Sequence, residues 1–447
     1  MRTGVRGSMI ETMRQLAWFL VALSACPALL IASHADPLTL DEALREGHAA
    51  NARLPVAALD VDISREALRE ARAERWLKVA LEADLTVAPP SGYDTALSDG
   101  GVERLQLVAR QPLIDGGSRR GAVARAEARS RAAAARYRIA EQELDVDVRG
   151  QFAECLEAQE EIAARREGLD RLRHYSTWLR SRQAAGQGIA ADVLRTSVRV
   201  ASDEAELAEA ERRLETARLT LNDLLGRDPA SPLDIAAMPA PESPAPAAVT
   251  TWQGAADVVE AEAGTRVAAA ELQVAQAERK PQLTASADFG LWGSGTTQLI
   301  PPDLRAADPE AGFTDRLKRD AGYSFSLNLS WPLWDHGAQR ARQAQAALGL
   351  RHAQGEEAVQ RRRARLMWQQ AQAARASAYR QIELLSRAIP EARDSYLEAE
   401  SRYRGGAATF LDVLEAHAAA VDASVRLAEA VLRYRVAETL ELRWGTP

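Results

Sequence analysis

The two residues best spaced to share a chemical task are Asp412 and Glu415. Three apart on a helix, their carboxylates lie on one face. Such a pair either concentrates cations at that face or occupies a first turn, where the helix dipole favours acids. Nothing in the sequence resembles a hydrolytic or metal centre. The six histidines (His34, His48, His174, His336, His352 and His417) include no close pair and no metal-ligand spacing. His417, although near the acidic pair, reads as a solvated helix residue. Gly293-Ser294-Gly295 falls in a loop, where glycine marks a turn rather than a phosphate cradle. There is no nucleophile elbow. No enzyme, cofactor or metal is therefore expected.

Composition points to long helices. Hydrophobic residues make up 47% of the 447 positions but aromatics only 5%, and Ala, Arg and Glu dominate. That mixture suits helices packed through small side chains better than a compact catalytic core. The net charge of −7, with Arg and Glu alternating along the chain, argues against a nucleic-acid partner. The run 16–33, preceded by Arg14, has the character of a secretory h-region. Ser33-His34-Ala35 offers an ordinary cleavage site, and Leu23-Ser24-Ala25-Cys26 offers a lipobox that would leave Cys26 lipidated. Cleavage after Ala35 is the expected course, because the apolar run continues past Cys26 and Pro27. A retained membrane helix is a third reading. Cys155 then has no disulfide partner and reads as a buried small hydrophobe. After cleavage at Ala35 only Met238 and Met367 remain, so no methionine ladder for copper is present.

The chain repeats itself. Gln111-Pro112-Leu113-Ile114-Asp115-Gly116-Gly117 recurs as Trp331-Pro332-Leu333-Trp334-Asp335-His336-Gly337, an offset of 220. Asp192-Val193-Leu194 recurs as Asp412-Val413-Leu414 at the same offset, and Gly186 matches Gly406. Ala73-Glu74-Arg75 matches Ala277-Glu278-Arg279 at 204, so the second copy has the longer loop in between. The expected organisation is a targeting segment 1–35, a first repeat 36–227, a Pro/Ala-rich linker 228–250 and a second repeat 251–447.

Each half predicts a helix (39–78 and 252–280), a strand pair (79–112 and 281–331), a very long helix (118–185 and 338–404) and a further helix. At ~1.5 Å per residue the long helices would span roughly 100 Å. Pro390 should bend or loosen the second of them. The strands alternate cleanly. Tyr323, Phe325, Leu327, Leu329 and Trp331 interleave with Ser324, Ser326, Asn328 and Ser330; Leu283, Ala285, Ala287, Phe289 and Leu291 interleave with Thr284, Ser286, Asp288 and Gly290. An apolar face and a polar face over about ten residues fit a lipid-facing, water-lined barrel, and also a small half-buried soluble sheet. The barrel reading is preferred, because the strand pairs adjoin helices too long for a globular domain. Four strands cannot close a barrel, and lipid does not tolerate an open edge. Three copies would supply twelve strands. Trp292, Tyr323, Phe325, Trp331 and Trp334, at or near strand ends, are candidates for an interfacial aromatic girdle, with core packing as the competing account.

Together these features resemble the TolC-type outer-membrane efflux protein family over nearly the whole chain. The points of likeness are Leu38-Thr39-Leu40-Asp41-Glu42-Ala43-Leu44, the two Pro-Leu-x-Asp-x-Gly turns, and Tyr403-Arg404-Gly405-Gly406-Ala407-Ala408-Thr409-Phe410-Leu411-Asp412-Val413-Leu414. The resemblance implies a mainly helical chain whose four strands join a twelve-stranded trimeric barrel in the outer membrane. It also implies a periplasmic helical tunnel and an equatorial segment near 228–248. Implied partners are two further copies, a periplasmic adaptor and an inner-membrane pump. By the same comparison Asp412 and Glu415 ring the tunnel's inner constriction, Gly186, Gly405 and Gly406 make the tip turns, and Tyr403 and Asp192 form a gate latch. Two departures stand out. Trp76-Leu77 replaces a Leu-Pro pair common in the family, and Ala408 stands where a second latch residue, an arginine, is expected. The alternatives are the exit duct of a protein-secretion system and, in a different class, a periplasmic coiled-coil adaptor or rod.

Overall fold

The computed structural model describes residues 37–86, 102–187, 189–239, 241, 251–294 and 321–445. The expected targeting segment with Cys26, most of the stretch 240–250 and Gly295 lie outside these.

The elements follow in two matching series. Helices α1 (Leu40–Ala50) and α2 (Arg53–Ala73) precede strands β1 (Lys78–Thr86) and β2 (Val102–Ile114). Then come α3 (Ser118–Ala184), with 67 residues, and α4 (Ala190–Leu224), with 35. Helix α5 (Ala256–Ala277), strands β3 (Gln282–Ser294) and β4 (Ala321–Ser330), and helices α6 (Ala338–Arg404) and α7 (Phe410–Trp444) complete the chain. α6 and α7 again have 67 and 35 residues and start 220 positions after α3 and α4.

The single helix expected over 39–78 is instead two. Asn51 adopts an extended conformation at the end of α1; its Oδ1 accepts from the Arg53 N–H at 2.9 Å, and its Nδ2 donates to the Leu224 carbonyl at 3.3 Å. The side chain thus competes with the helical backbone and restarts it. α6 runs unbroken across Pro390, so the missing N–H does not end that helix.

What packs the helices is alanine at intervals of seven. The buried positions of α5 are spaced so at Ala256, Ala263, Ala270 and Ala277, and those of α6 at Ala364, Ala371 and Ala378. Ala210 and Ala217 do the same in α4. A strict seven-residue repeat keeps one seam facing its neighbour over many turns, and small residues let the axes approach. α3 lies centrally, packed on α1, α2, α4, α5 and α7 along its length, and α6 packs on α5 and α7. The largest apolar cluster joins Leu144, Val148, Phe152 and Cys155 of α3 to Leu221 and Leu224 of α4. Leu233 and Ile235 belong to it too, so the start of the expected linker is packed structure, held by a parallel bridge from Ile235 to Leu38. Burial pushes the Cys155 thiol up to about 12, leaving it inert.

The strands form one antiparallel sheet in the order β1-β2-β3-β4, with β1 and β4 as its edges. Leu81 pairs with Leu107, Leu107 with Phe289 and Phe289 with Tyr323, which places the apolar series of all four strands on one face. That face is open: Phe325 is 78% exposed, whereas Val108, on the polar face, is 1% exposed. Each second strand of a pair enters its long helix through an aspartate. Asp115 accepts from the Gly117 and Arg119 N–H groups, at 3.0 and 2.9 Å. Asp335 accepts from those of Gly337 and Gln339, at 3.1 and 2.7 Å. These satisfy helix-start donors that have no partner within the helix. In the first turn of this kind the left-handed position must be glycine, because a Cβ on Gly116 would sit 2.7 Å from the Ala277 carbonyl; His336 holds the matching left-handed place in the second.

A Cβ on Gly290 would lie 2.4 Å from the Leu105 carbonyl oxygen and 2.6 Å from the Gln106 Cα, backbone that cannot yield. Gly349, on α6, has nothing within 4 Å. Gly290→Ala should therefore cost about 1–3 kcal/mol in thermal unfolding of the detergent-purified protein, whereas Gly349→Ala should be neutral or stabilising by up to about 1 kcal/mol. Equal stabilities for the two variants would contradict this account of the sheet.

Candidate functional site at the helical tip

The chemistry-bearing residues gather where α3 turns into α4 and α6 into α7. Both turns are built alike. Gly186 takes φ +74° and Gly406 φ +76°, the left-handed region that glycine occupies without strain. The Gln187 N–H donates to the Arg182 carbonyl and the Gly186 N–H to that of Gln183, each at 3.0 Å. The Ala407 and Gly406 N–H groups do the same to Arg402 and Tyr403, at 2.8 and 3.0 Å. Paired bonds of this kind satisfy the last carbonyls and reverse the chain sharply. Gly405 departs from its expected role: at φ −81° it is still in helical conformation, and Gly406 alone makes the left-handed step.

α7 starts with a capping box. The Thr409 N–H and hydroxyl donate to Asp412 Oδ2 at 2.7 and 2.9 Å, and the Asp412 N–H donates back to Thr409 Oγ1 at 3.3 Å. These bonds hold the Asp412 carboxyl below its ordinary range. Asp412 therefore has a structural task as well as a charge. Glu415 is exposed on the same side of α7, and among the described residues it has no ion-pair partner.

Tyr403 and Asp192 do meet. The Tyr403 hydroxyl donates to Asp192 Oδ2 at 2.7 Å, linking the end of α6 to the start of α4. Asp192 is only 5% exposed, and Arg195 approaches it at 4.0 Å. Removing the phenol would leave a buried carboxylate short of a donor. The ring is held in a cluster that the sequence alone did not assemble. Tyr175 of α3 stacks on Phe410 with centroids 5.9 Å apart and on Trp178 at 5.4 Å, and Tyr403 packs on all three. The guanidiniums of Arg182 and Arg404 lie over Trp178, 5.2 and 5.4 Å from its centre. The family resemblance pointed to Tyr403 and Asp192, but nothing in the sequence signalled the surrounding rings.

His417 corrects its expected solvation. It is 1% exposed, faces the Tyr396 ring at 5.8 Å, and its Nε2 lies 3.2 Å from Asp203 Oδ2 of α4.

At the sheet end, Tyr323 and Phe325 are exposed and in edge contact at 6.0 Å, and Trp331 and Trp334 are exposed near the helix end of β4. From Tyr323 to Trp331, eight residues of strand cover about 27 Å, close to the height of a membrane-facing apolar band. Trp292 does not join them by register: it lies opposite Arg104, in the polar series. A period of two from Gly290 already implies this. Its side chain is outside what is described.

Among the described residues no helix is long and apolar enough to cross a membrane, and no group of three or more His, Cys, Asp or Glu is placed to hold a metal.

Burial, followed by the bond to Asp192, pushes the Tyr403 phenol up to about 12. Its pKa is thus raised in the folded state, so the stability it contributes is complete below the ordinary tyrosine value. That stability is lost as pH rises from about 10 to about 12. A tyrosinate absorbance titration should contain one phenol ionising near pH 12 that Tyr403→Phe removes. Loss of a group titrating near pH 10 instead would mean that the contact with Asp192 does not persist in solution.

Comparison with known proteins agrees with this architecture. Residues 43–227 and 250–443 match the family described as "Outer membrane efflux protein". The chain is 30% identical over 302 residues to the pyoverdine export outer membrane protein OpmQ of Pseudomonas aeruginosa; the match covers 65% of this chain and 59% of that relative. In fold it resembles VceC of Vibrio cholerae, with TM-score 0.78, 20% identity, and 91% and 95% of the two chains covered. It also resembles the open state of the MtrE channel of Neisseria gonorrhoeae, with TM-score 0.75, 20% identity, and 91% and 89% covered. Of these relatives OpmQ is an export protein and MtrE a channel of the outer membrane. With both halves matched, this chain belongs to the outer membrane efflux protein family.

Proposed function

We propose that the chain is one protomer of a trimeric exit duct in the Gram-negative outer membrane, passing substrates out of the periplasm as the last stage of a tripartite efflux pump. The observation that carries this reading is the four-stranded sheet. Its apolar face is exposed along its length, and its edge strands β1 and β4 have no partner on their outer sides among the described residues. In lipid such edges must be closed, and pairing β4 of one copy with β1 of the next closes them. Three copies give twelve strands around a polar face rich in Arg104, Gln106, Arg110, Ser286 and Asp288. The helices run on from that sheet for about 100 Å, long enough for a periplasmic tunnel. A periplasmic rod has no use for a face with Phe325 and Leu327 in the open. The similarity to OpmQ, a pyoverdine export protein, supports efflux, and a periplasmic adaptor and an inner-membrane pump are the partners this role needs.

Within that duct the tip acts as the gate. Asp412 and Glu415, three residues apart, would be repeated threefold as six carboxylates at a constriction, attracting cations and repelling one another. Tyr403 bound to Asp192 holds the closed state, with Ala408 leaving no arginine to share the task.

The mature protein should fractionate with the outer membrane as a detergent-stable trimer; recovery as a soluble monomer in periplasmic extract would end the channel reading. In bilayer recordings Asp412→Asn with Glu415→Gln should weaken cation preference and block by multivalent cations. These substitutions remove charge, and the amide oxygen introduced by Asp412→Asn can still accept from Thr409, which alanine could not do. Unchanged selectivity and block would return both residues to the role of helix-start acids. Tyr403→Phe should raise the resting conductance.

A further inference from the structure

α4 carries two buried aspartates on one face. Asp192 and Asp203 are eleven residues apart, three helical turns or roughly 16 Å. Each meets a side chain from the other helical hairpin: Asp192 receives Tyr403 of α6, and Asp203 faces His417 of α7. We propose that His417 and Asp203 form a second latch, above Tyr403 and Asp192, that holds the two hairpins together when the duct is closed. This inference rests on the reading of the tip as a gate.

All four helices contribute to the site. Asp203 is 8% exposed; its Oδ1 pairs with Arg199 Nε at 2.8 Å, which leaves Oδ2 for the histidine. His417 Nδ1 is buried without a hydrogen-bond partner among the described residues. The network therefore assigns the proton of the neutral ring to Nε2, which donates to Asp203. From α6 comes the Tyr396 ring, edge-on to the imidazole, and from α3 Arg171, whose guanidinium lies 5.8 Å over that ring and pairs with Glu167 at 2.6 Å. α3 also opens the path. A Cβ at Gly168 would lie 2.6 Å from Val421 Cγ2 and 3.5 Å from His417 Cε1, so the glycine lets α7 pack closely on α3 beside the histidine.

Position along α4 separates this pair from ordinary packing. Higher on the same face the buried residues are Ala210, Ala217, Leu221 and Leu224, an apolar seam. Apolar contact is non-directional and tolerates small displacements. A buried carboxylate tolerates none unless water reaches it, because it loses its donor in the dry state. The two buried carboxylates of α4 thus both lie on its tip side, in the turns that must part for the tip to open, where hydration can replace their partners. Nor is the pair a by-product of the matching halves: at the offset of 220, Ser197 stands for His417 and Ala423 for Asp203.

The test uses the full-length trimer in planar bilayers, with trimer content in detergent followed for every variant. His417→Leu, which keeps bulk but has no donor, and Asp203→Asn should each raise the resting open probability about tenfold, as expected for loss of a hydrogen bond to a charged group. His417→Gln restores a donor at a comparable reach and should stay within about twofold of the parent. His417→Leu combined with Tyr403→Phe should exceed the product of the single effects, since each latch backs up the other. If Tyr403→Phe opens the channel while His417→Leu and Asp203→Asn do not, the second latch is wrong and the gate stands. If none of these variants changes the resting conductance, the gate reading fails and takes the second latch with it. If His417→Gln abolishes the trimer, the pair is a folding element and the proposal is overturned.

Discussion

A helix of 67 residues cannot be held by a single globular core; it needs a long seam, and alanine at every seventh position provides part of one in α4, α5 and α6. Each contact contributes little, but the contacts repeat over several turns and draw the helices close. The consequences run through the molecule. Close-packed rods leave shallow grooves instead of an enclosed catalytic cleft. The many arginine–glutamate pairs along them, such as Arg129–Glu271 and Arg136–Glu260, are exposed on the arginine side and contribute little stability apiece. They keep long faces solvated without fixing a shape.

Where the alanine seam stops, the chemistry changes. In its last turns before the tip the bundle exchanges alanine for Tyr175, Trp178, Tyr403 and Phe410, large rings that need specific partners. Buried acids appear in the same turns, at Asp192 and Asp203. An apolar seam has one good state. A seam of hydrogen-bonded carboxylates has a second, hydrated one, which makes it suitable for an element that must open. The acids higher up are handled differently: Glu161 is enclosed by Arg165 and Arg213, and Glu441 by Arg375. Those pairs join the bundle toward its mid-length, away from the tip.

The sheet and the helices are coupled by Asp115 and Asp335, each of which stands three residues before its long helix. Their carboxylates take the helix-start N–H groups that no backbone carbonyl can reach. That junction lets a strand with an apolar outer face continue directly into a rod with a polar one, so a single chain serves two solvents.

The sequence by itself determined the elements, because each carries its own period. The strands alternate by two, the long helices extend without interruption, and the offset of 220 matches them in pairs. It also pointed to the tip turns, through Gly186 and Gly406, and to Tyr403 with Asp192 through family resemblance. It failed wherever the outcome depended on what a residue meets from far along the chain. His417 reads as an exposed helix histidine until α4 brings Asp203 against it from 214 positions away. Tyr175 and Trp178 look ordinary in a polar helix until α6 and α7 close on them. Trp292 lies near a strand end like the other aromatics, but its register sets it among the polar residues. The break at Asn51 was hidden because local hydrogen bonding, not hydrophobic period, decides it. Periodicity is a local property that survives in one dimension. Burial and pairing are set by the third, so only the packed helices could decide which polar groups the tip encloses.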